Sequence, residues 1–275
     1  MNNIFDILSY SFMLKAFISG LFLALTASLI GAPLVLKKNA NVGDGLSHAA
    51  FGAFAFSTVF NFSHLYVSIP LVMILSILML KLNKSKVINE DAVIALISLS
   101  SLAIGTFLIS VKKGVNVSIS SYLFGSILSI SEAELILSIL LFIIVALFFT
   151  FYFHKLFIIT FDEVFARSIG IKVKFYDISL AIIASLVVVI GMRIMGSLLI
   201  SALIIFPTLS SLQIFKSFKG VVISNTVIAI LAFTSGLILS YAYSLPTGST
   251  IVIVNLFIFL LMAIYSKISI HKKTP

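Results

Sequence analysis

Nine long apolar stretches follow one another along the 275 residues of the chain, separated by short polar connections. Each is about 18–25 residues long, enough for an α-helix that rises about 1.5 Å per residue to cross a hydrocarbon layer of about 30 Å. The predicted spans are residues 12–36, 44–62, 64–82, 91–111, 132–153, 176–194, 196–214, 220–243 and 249–266. The spans at 176–194 and 196–214 meet with almost no connection, so eight spans plus one broken or re-entrant helix remains an alternative.

The composition excludes a water-soluble globular domain. Apolar residues make up 61% of the chain and charged residues 10%, against about 45–50% and about 25% in a typical soluble domain. One core could not bury so many apolar side chains, and the bilayer must cover much of the surface. We therefore predict an all-α, polytopic integral membrane protein with eight or nine transmembrane helices, forming a single transmembrane domain over residues 1–275.

The positions of the basic residues predict the orientation in the membrane. When nine spans are threaded alternately from an outer N-terminus, 14 of the 18 Lys and Arg residues fall on the inner side. The other four are Lys15, Lys112, Lys113 and Arg193. Since positive charge concentrates in cytoplasmic loops, the N-terminus is expected outside and the C-terminus in the cytoplasm. The net charge of +9 is spread in short groups rather than one patch, which indicates no nucleic-acid partner.

Several kinds of chemistry are absent from the sequence. There is no cysteine, which excludes disulfides, thiolate metal sites and cysteine nucleophiles. No Gly-x-x-x-x-Gly-Lys-Ser/Thr loop occurs, so we expect any ATPase to be a separate chain. The first apolar stretch has no basic residue before Lys15 and is followed by many others, so we expect a membrane span there rather than a cleaved signal peptide.

Asp44 and His48 are the candidate metal ligands. They stand four residues apart near the start of the second span, which places them on one helix face. Ionisable groups in a membrane are costly and mark an ion or substrate path, and a carboxylate and an imidazole can share a divalent cation. The structural alternative is that Asp44 caps the helix and His48 is a satisfied interior polar group. Small residues nearby, Gly45, Ala49 and Gly52, suit either close helix packing or a narrow conduit.

The cytoplasmic connection at about 154–175 and Pro207 are the other notable features. Residues 162–170 have an acidic start and a final glycine, which predicts a short surface helix, with a plain solvated connector as the alternative. Pro207 is expected to kink or break the seventh span and to free a carbonyl near the inner leaflet. Its functional interpretation is a gate, and its structural interpretation is a simple kink.

Five segments occur in a defined order along the chain. They are Gly-Asp-Gly-Leu-Ser-His-Ala at 43–49, Tyr-Leu-Phe-Gly-Ser-Ile-Leu at 122–128, the connection at 162–170, Gly-Ser-Leu-Leu-Ile at 196–200 running into Phe206-Pro207, and Leu-Pro-Thr-Gly at 245–248. As an ordered set they resemble the permease subunit of bacterial ABC importers for manganese, zinc or iron. The resemblance covers about residues 10–267 of the chain.

This resemblance implies a set of partners in a bacterial plasma membrane: a second copy of the chain, a cytoplasmic dimer of ABC ATPases and an extracellular or periplasmic metal-binding protein. It implies that Asp44 and His48 face the metal path. It also implies that the ATPase contacts the connection that contains Asp162, Glu163, Ala166, Arg167 and Gly170. Because Val164 and Phe165 depart from the Glu-Ala-Ala pattern of other importers, that contact is inferred from position.

We therefore predict a conduit rather than an enzyme, with a divalent transition metal as cargo and no resident cofactor. Carboxylate and imidazole ligands accept manganese, zinc and iron alike, so the sequence does not choose among them. One alternative is a permease for a larger metal chelate or vitamin, whose conduit would be wide and would lack paired ionisable ligands. Another is an intramembrane hydrolase, but the His-Glu-x-x-His signature of a metalloprotease is absent.

Overall fold

The computed structural model describes residues 11–83, 89–112, 125 and 130–271, and every regular element in these ranges is a helix. The helices are α1 (Ser11–Leu36), α2 (Asn41–Val59), α3 (His64–Asn83), α4 (Glu90–Val111), α5 (Glu132–Phe161), α6 (Glu163–Ser168), α7 (Val173–Met195), α8 (Ser197–Leu212), α9 (Phe218–Ala242) and α10 (Thr247–His271). The all-α prediction is confirmed. The segment at 122–128, apart from Gly125, lies outside the described residues.

Each of the nine predicted spans coincides with one of the long helices. Seven of them, α1, α3, α4, α5, α7, α9 and α10, are long and apolar enough to cross a membrane. The prediction of a polytopic membrane protein is thereby confirmed. The two helices that fall short are α2, which carries the candidate ligands, and α8, which has 16 residues and carries Pro207.

One residue separates α7 from α8. Gly196 has a φ of +88°, a left-handed conformation that glycine adopts without the steric cost of a Cβ. Its N–H donates to the carbonyl of Met192, and its own carbonyl accepts from the N–H of Ile200. The chain therefore changes direction at a single glycine, and α7 and α8 are two separate helices.

Helix α5 is longer than the apolar pattern predicts, since it continues to Phe161 rather than ending near residue 153. It begins with a capping box in which the Ser131 and Glu134 side chains bond to each other's backbone N–H. Near its other end, Lys155 interrupts the apolar sequence without ending the helix. The Lys155 ammonium lies 5.7 and 5.8 Å from the ring centroids of Tyr152 and Tyr176, and cation–π attraction stabilises it there.

Polar contacts join the helix ends that the predicted threading places on the outer side. Lys15 of α1 pairs with Glu132 of α5 at 2.9 Å, and Arg193 of α7 pairs with Glu134 of α5. Lys112, next to the end of α4, donates to the last carbonyls of α2. The first residues of α1 and α5 thus lie beside the last residues of α7, as alternating helix directions require.

A second set of contacts joins the opposite helix ends. Lys37, just after α1, pairs with Asp177 in the first turns of α7 at 2.8 Å, and both side chains are largely buried. Asn41 at the start of α2 donates to Asp91 at the start of α4 across 3.1 Å. The relative directions of these helices therefore agree with the threading.

Helices α1 and α7 form the centre of the bundle. In their most apolar segments 67% and 72% of residues are buried, against 22% in α5 and 11% in α10. A polar link crosses this centre: Asn225 of α9 donates to the Ser28 carbonyl of α1 at 2.9 Å and to Thr208 of α8 at 3.1 Å. Since no water is available inside an apolar bundle, this link satisfies polar groups that would otherwise be costly to bury.

Candidate functional site

Asp44 and His48 lie together on one face of α2. The His48 Nε2 is 3.6 Å from an Asp44 carboxylate oxygen. The Asp44 side chain is 55% exposed and the His48 side chain is 26% exposed. Helix α2 begins at Asn41, and its N-cap position is Ala40, whose side chain makes no capping bond. Asp44 is therefore inside the first turn and does not cap the helix, so the capping part of the structural alternative is wrong.

The small residues of α2 pack closely against α4. A Cβ at Gly45 would lie 2.7 Å from the Ile94 side chain, and one at Gly52 would lie 2.7 Å from the carbonyl oxygen of Ser101. Both distances are too short for a larger residue, so these glycines permit the close approach of the two helices. Of the two uses that the sequence left open for them, the structure shows close helix packing.

A hydrogen bond between two helices fixes the rotation of α2. The hydroxyl oxygens of Ser47 and Ser201 are 2.8 Å apart and buried, where α2 meets α8. Each hydroxyl also lies within bonding distance of a carbonyl of its own helix, that of Gly43 or Ser197. Because Ser47 stands between the candidate ligands in sequence, this contact and the close packing of Gly45 and Gly52 on α4 together orient their shared face.

Asp44 opens onto a groove between α2, α8 and α10 with a volume of about 440 Å³. Three of the ordered sequence segments contribute to it: Asp44 from 43–49, Leu198 from 196–200 and Gly248 from 245–248. Phe206, which precedes Pro207, lines it as well. Segments that are far apart in the sequence therefore meet around one carboxylate.

The pair supplies two donors of different kinds, a carboxylate oxygen and an imidazole nitrogen. Within the described part of the chain, no group of three or more His, Asp or Glu side chains is close enough together to hold an ion. Among the described residues, one copy of the chain therefore offers a divalent ion one carboxylate and one imidazole at this place, and any further carboxylate or imidazole ligands must come from another molecule.

The connection after α5 contains the predicted short helix, α6. Asp162 is its N-cap, and its carboxylate accepts a hydrogen bond of 2.8 Å from the Phe165 N–H. Glu163 and Arg167 form an ion pair one turn apart on its surface. Gly170 ends the segment with a φ of +82°, a conformation that favours glycine.

The two sides of α6 have opposite environments. Ala166 is fully buried within this chain, whereas Val164 is 80% exposed and Phe165 is 52% exposed. Ile169 is exposed too, and a Cβ added at Gly170 would meet nothing within 4 Å. The helix is therefore anchored through Ala166 and presents an apolar surface outward, formed in part by the residues that depart from the pattern of other importers.

Pro207 does not break its helix: α8 runs from Ser197 to Leu212 with the proline inside it, so of the expected kink or break only the kink remains a prediction. Proline removes one backbone donor, and two hydroxyls in the neighbouring turns bond to carbonyls of the same helix. Thr208 donates to the Ile204 carbonyl at 3.4 Å, and Ser211 donates to the carbonyl of Pro207 at 2.9 Å.

Sequence reasoning missed the polar residues that hold the site in place. Ser201 and Asn225 bridge helices, but a serine or asparagine within an apolar stretch does not reveal its partner. The sequence did contain one indication of their role. A polar side chain deep in an apolar span costs free energy unless it finds a partner within the bundle.

A family model described as ABC 3 transport family matches residues 9–266. The chain belongs to that family. The resemblance indicated by the five ordered segments is thereby confirmed.

Named relatives and a solved structure match over nearly the full length. The chain is 30% identical to the manganese import system permease protein ScaB of Streptococcus gordonii, over 91% of this chain and 90% of that protein. It is 29% identical to the high-affinity zinc uptake system membrane protein ZnuB of Buchnera aphidicola, over 92% and 97%. The structure of PsaBC from Streptococcus pneumoniae in complex with Fab superposes with a TM-score of 0.84 at 26% identity, covering 97% and 98% of the two chains.

Proposed function

We propose that this protein is the membrane permease of an importer for a divalent transition metal, and that Asp44 and His48 contact the ion in transit. The observation that carries the proposal is their 3.6 Å approach on one face of α2, where Asp44 opens onto the groove in which three family segments meet. Relatives named for manganese import and for zinc uptake support this cargo class.

Two copies of the chain complete the ion site in this proposal. A twofold axis along the groove brings a second Asp44 and His48 to the first pair, which raises two ligands to four. Four oxygen and nitrogen ligands suit manganese, zinc and ferrous iron. Sharing the ligands between two subunits also allows release, because a movement that separates the subunits halves the ligand number and weakens binding.

The energy source is a separate dimer of cytoplasmic ABC ATPases, and an extracellular or periplasmic metal-binding protein delivers the ion. In this proposal the C-terminus and α6 are cytoplasmic, and α6 is the main ATPase contact. Val164 and Phe165 provide the apolar contact surface, while Ala166 anchors α6 to the permease. Glu163 and Arg167 keep the helix rigid through their ion pair.

Pro207 is the hinge of the inner gate in this proposal. It lies between two clamps on α8: Ser201 bonds to α2 on one side, and Thr208 bonds to Asn225 of α9 on the other. A missing backbone hydrogen bond makes bending least costly between the clamps. Motion transmitted from α6 then opens the groove without breaking either clamp.

Metal uptake tests the assignment of the ligands. In cells without other importers, the chain is expressed with its cognate ATPase and metal-binding protein, and uptake of radioactive manganese and zinc is measured. We expect Asp44→Asn and His48→Gln each to abolish uptake while the complex still assembles. Glu90→Gln is the matched control, since it removes an exposed carboxylate from the start of neighbouring α4. Normal uptake by both ligand variants would show that the pair does not contact the ion.

A further inference from the structure

A second groove, unrelated to the candidate metal path, opens between the ends of α3 and α7 that the threading places inside. Its volume is about 830 Å³. Deeper in the bundle the two helices are in contact, and the Ser76 hydroxyl of α3 donates to the Ala181 carbonyl of α7 at 2.9 Å. Toward these ends the groove lies between Leu80 of α3 and Phe175 of α7.

Four cationic side chains line this groove: Lys81, Arg167, Lys172 and Lys174. All four residues are exposed, and they come from α3, from α6 and from the start of α7. Arg167 is partly neutralised by its ion pair with Glu163. The described residues that line the groove include no Asp or Glu, so three lysines carry positive charge without a carboxylate in the lining.

The rest of the lining is apolar. Ile77 and Leu80 of α3 face Val173, Phe175 and Ile178 of α7. Phe175 is 55% exposed, so a large ring is left without cover. The groove therefore has a cationic rim around an apolar floor.

The groove lies at the boundary between hydrocarbon and water. The apolar span of α3 ends at Leu82, next to Lys81, and that of α7 begins at Val173, between Lys172 and Lys174. The neighbouring surface of α3 faces outward, with Ile74 66% exposed. The lysines are therefore level with lipid headgroups, and the floor is level with the upper acyl chains.

We propose that this groove binds one anionic phospholipid. The phosphate accepts charge-assisted hydrogen bonds from Lys81, Lys172 and Lys174, and an acyl chain covers the floor along Phe175 and Ile178. Free phosphate would use the rim and leave the floor exposed, whereas a zwitterionic lipid would cover the floor and bring a cationic group to a cationic rim. Only an anionic amphiphile matches both parts.

The proposed membrane orientation decides only which leaflet contains the bound lipid. Whether the groove binds a lipid does not depend on it. Binding needs neither metal nor ATPase, so it is tested without any transport measurement, and its failure is distinguishable from failure of the proposed function.

Tryptophan fluorescence provides the test because the native chain contains no tryptophan. The full-length chain is reconstituted into vesicles in which either phosphatidylglycerol or phosphatidylcholine is brominated near the headgroup end of its acyl chains. Phe175→Trp places the reporter on the floor of the groove. Phe257→Trp is the matched control, an exposed aromatic position on α10 away from the groove.

We expect the fluorescence of Phe175→Trp to be quenched by brominated phosphatidylglycerol in preference to brominated phosphatidylcholine, by about tenfold or more in apparent affinity. The fluorescence of Phe257→Trp should be quenched equally by both lipids. Equal quenching by both lipids in Phe175→Trp would overturn the proposal. Excess inorganic phosphate should leave the quenching of Phe175→Trp unchanged. Loss of the quenching in phosphate would show that the rim binds free phosphate instead of a lipid.

Charge variants in the Phe175→Trp background identify the rim. Lys81→Gln, Lys172→Gln and Lys174→Gln together should remove the preference for phosphatidylglycerol. The matched triple variant carries Lys216→Gln, Lys219→Gln and Lys267→Gln, at exposed positions outside the groove on the same predicted side. It should keep the preference. If both triple variants lost it equally, the effect would be general surface charge and the specific site would be refuted. Circular dichroism of each variant verifies that it is folded.

Discussion

The hydroxyl of Ser47 lies 2.8 Å from that of Ser201, and this buried contact ties α2 to α8 between the two candidate ligands. Asp44 and His48 are on a neighbouring part of the α2 surface and reach each other at 3.6 Å. The rotation of α2 that aims them is therefore set by a side chain on a different helix. Positioning and ligation are carried by different residues, so they can be separated by mutation.

Ser201→Ala should weaken uptake without removing a ligand. It deletes the partner of Ser47 and should cost about 1 kcal/mol of stability, the usual net value of one hydrogen bond. We expect a lower unfolding temperature in detergent and reduced, but measurable, metal uptake. Ser235→Ala is the control because the Ser235 hydroxyl bonds only to its own helix among the contacts seen. Unchanged uptake and stability in Ser201→Ala would contradict a positioning role.

Asn225→Ala should be among the more destabilising polar substitutions in the bundle. It removes the bonds to the Ser28 carbonyl and to Thr208 and leaves a small cavity, at a combined cost of about 2–3 kcal/mol. Thermal unfolding of the purified chain measures this. Ser224→Ala, one residue away, removes only a bond to a carbonyl of the same helix. Equal unfolding temperatures for the two variants would show that the interhelical link contributes nothing.

Two glutamates in the first turn of α5 allow a matched comparison of ion pairs. The Glu134 side chain is 11% exposed and pairs with Arg193, whereas the Glu132 side chain is 80% exposed and pairs with Lys15. Glutamine retains the capping oxygen but loses the charge. Glu134→Gln should cost about 1 kcal/mol, since Arg193 loses its partner but is itself 39% exposed to solvent. Glu132→Gln should leave the unfolding temperature unchanged, because exposed pairs contribute little.

Adding Arg193→Gln to Glu134→Gln should restore part of the lost stability, because the unpaired charge is then removed as well. If Glu132→Gln proved the more harmful variant, the burial of the Glu134 pair would not be the cause of its contribution.

Cysteine cross-linking should locate the ATPase contact, and the native chain has no cysteine to interfere. Val164→Cys should cross-link to the ATPase because its side chain is exposed on α6, and Leu245→Cys, exposed at the opposite helix ends, should not. Cross-linking from Leu245→Cys in place of Val164→Cys would show that the orientation is inverted. Ala166→Leu should disrupt α6 itself, because the buried Ala166 position has no room for a larger side chain.

The helices at the nine apolar stretches and the shared helix face of Asp44 and His48 could be predicted from the sequence because both depend on local features. Length and hydropathy identify a membrane helix without knowledge of its neighbours. The four-residue spacing of Asp44 and His48 places them on one face in any α-helix. Likewise, an acidic start and a final glycine sufficed to predict α6, whose N-cap is Asp162 and whose end is Gly170.

Features that depend on which helix faces meet could not be predicted in this way. The Ser47–Ser201 contact and the Asn225 link each join residues from different helices, and no local pattern specifies that pairing. The predicted end of α5 was wrong because a lysine after an apolar stretch usually marks the end of a membrane span. The contacts of Lys155 with the Tyr152 and Tyr176 rings cannot be recognised from the sequence. At Pro207 the sequence left a kink and a break open, and the structure shows that α8 continues through the proline.

The central claim is that Asp44 and His48 from two copies of the chain hold the transported ion. The most direct measurement is anomalous X-ray scattering from crystals of the permease with its ATPase, grown with Mn²⁺. We expect one anomalous peak on the twofold axis, at about 2.0–2.2 Å from the ligand atoms of both pairs, and no such peak in Asp44→Asn crystals. A peak bound by other residues, or an undiminished peak in Asp44→Asn, would contradict the claim.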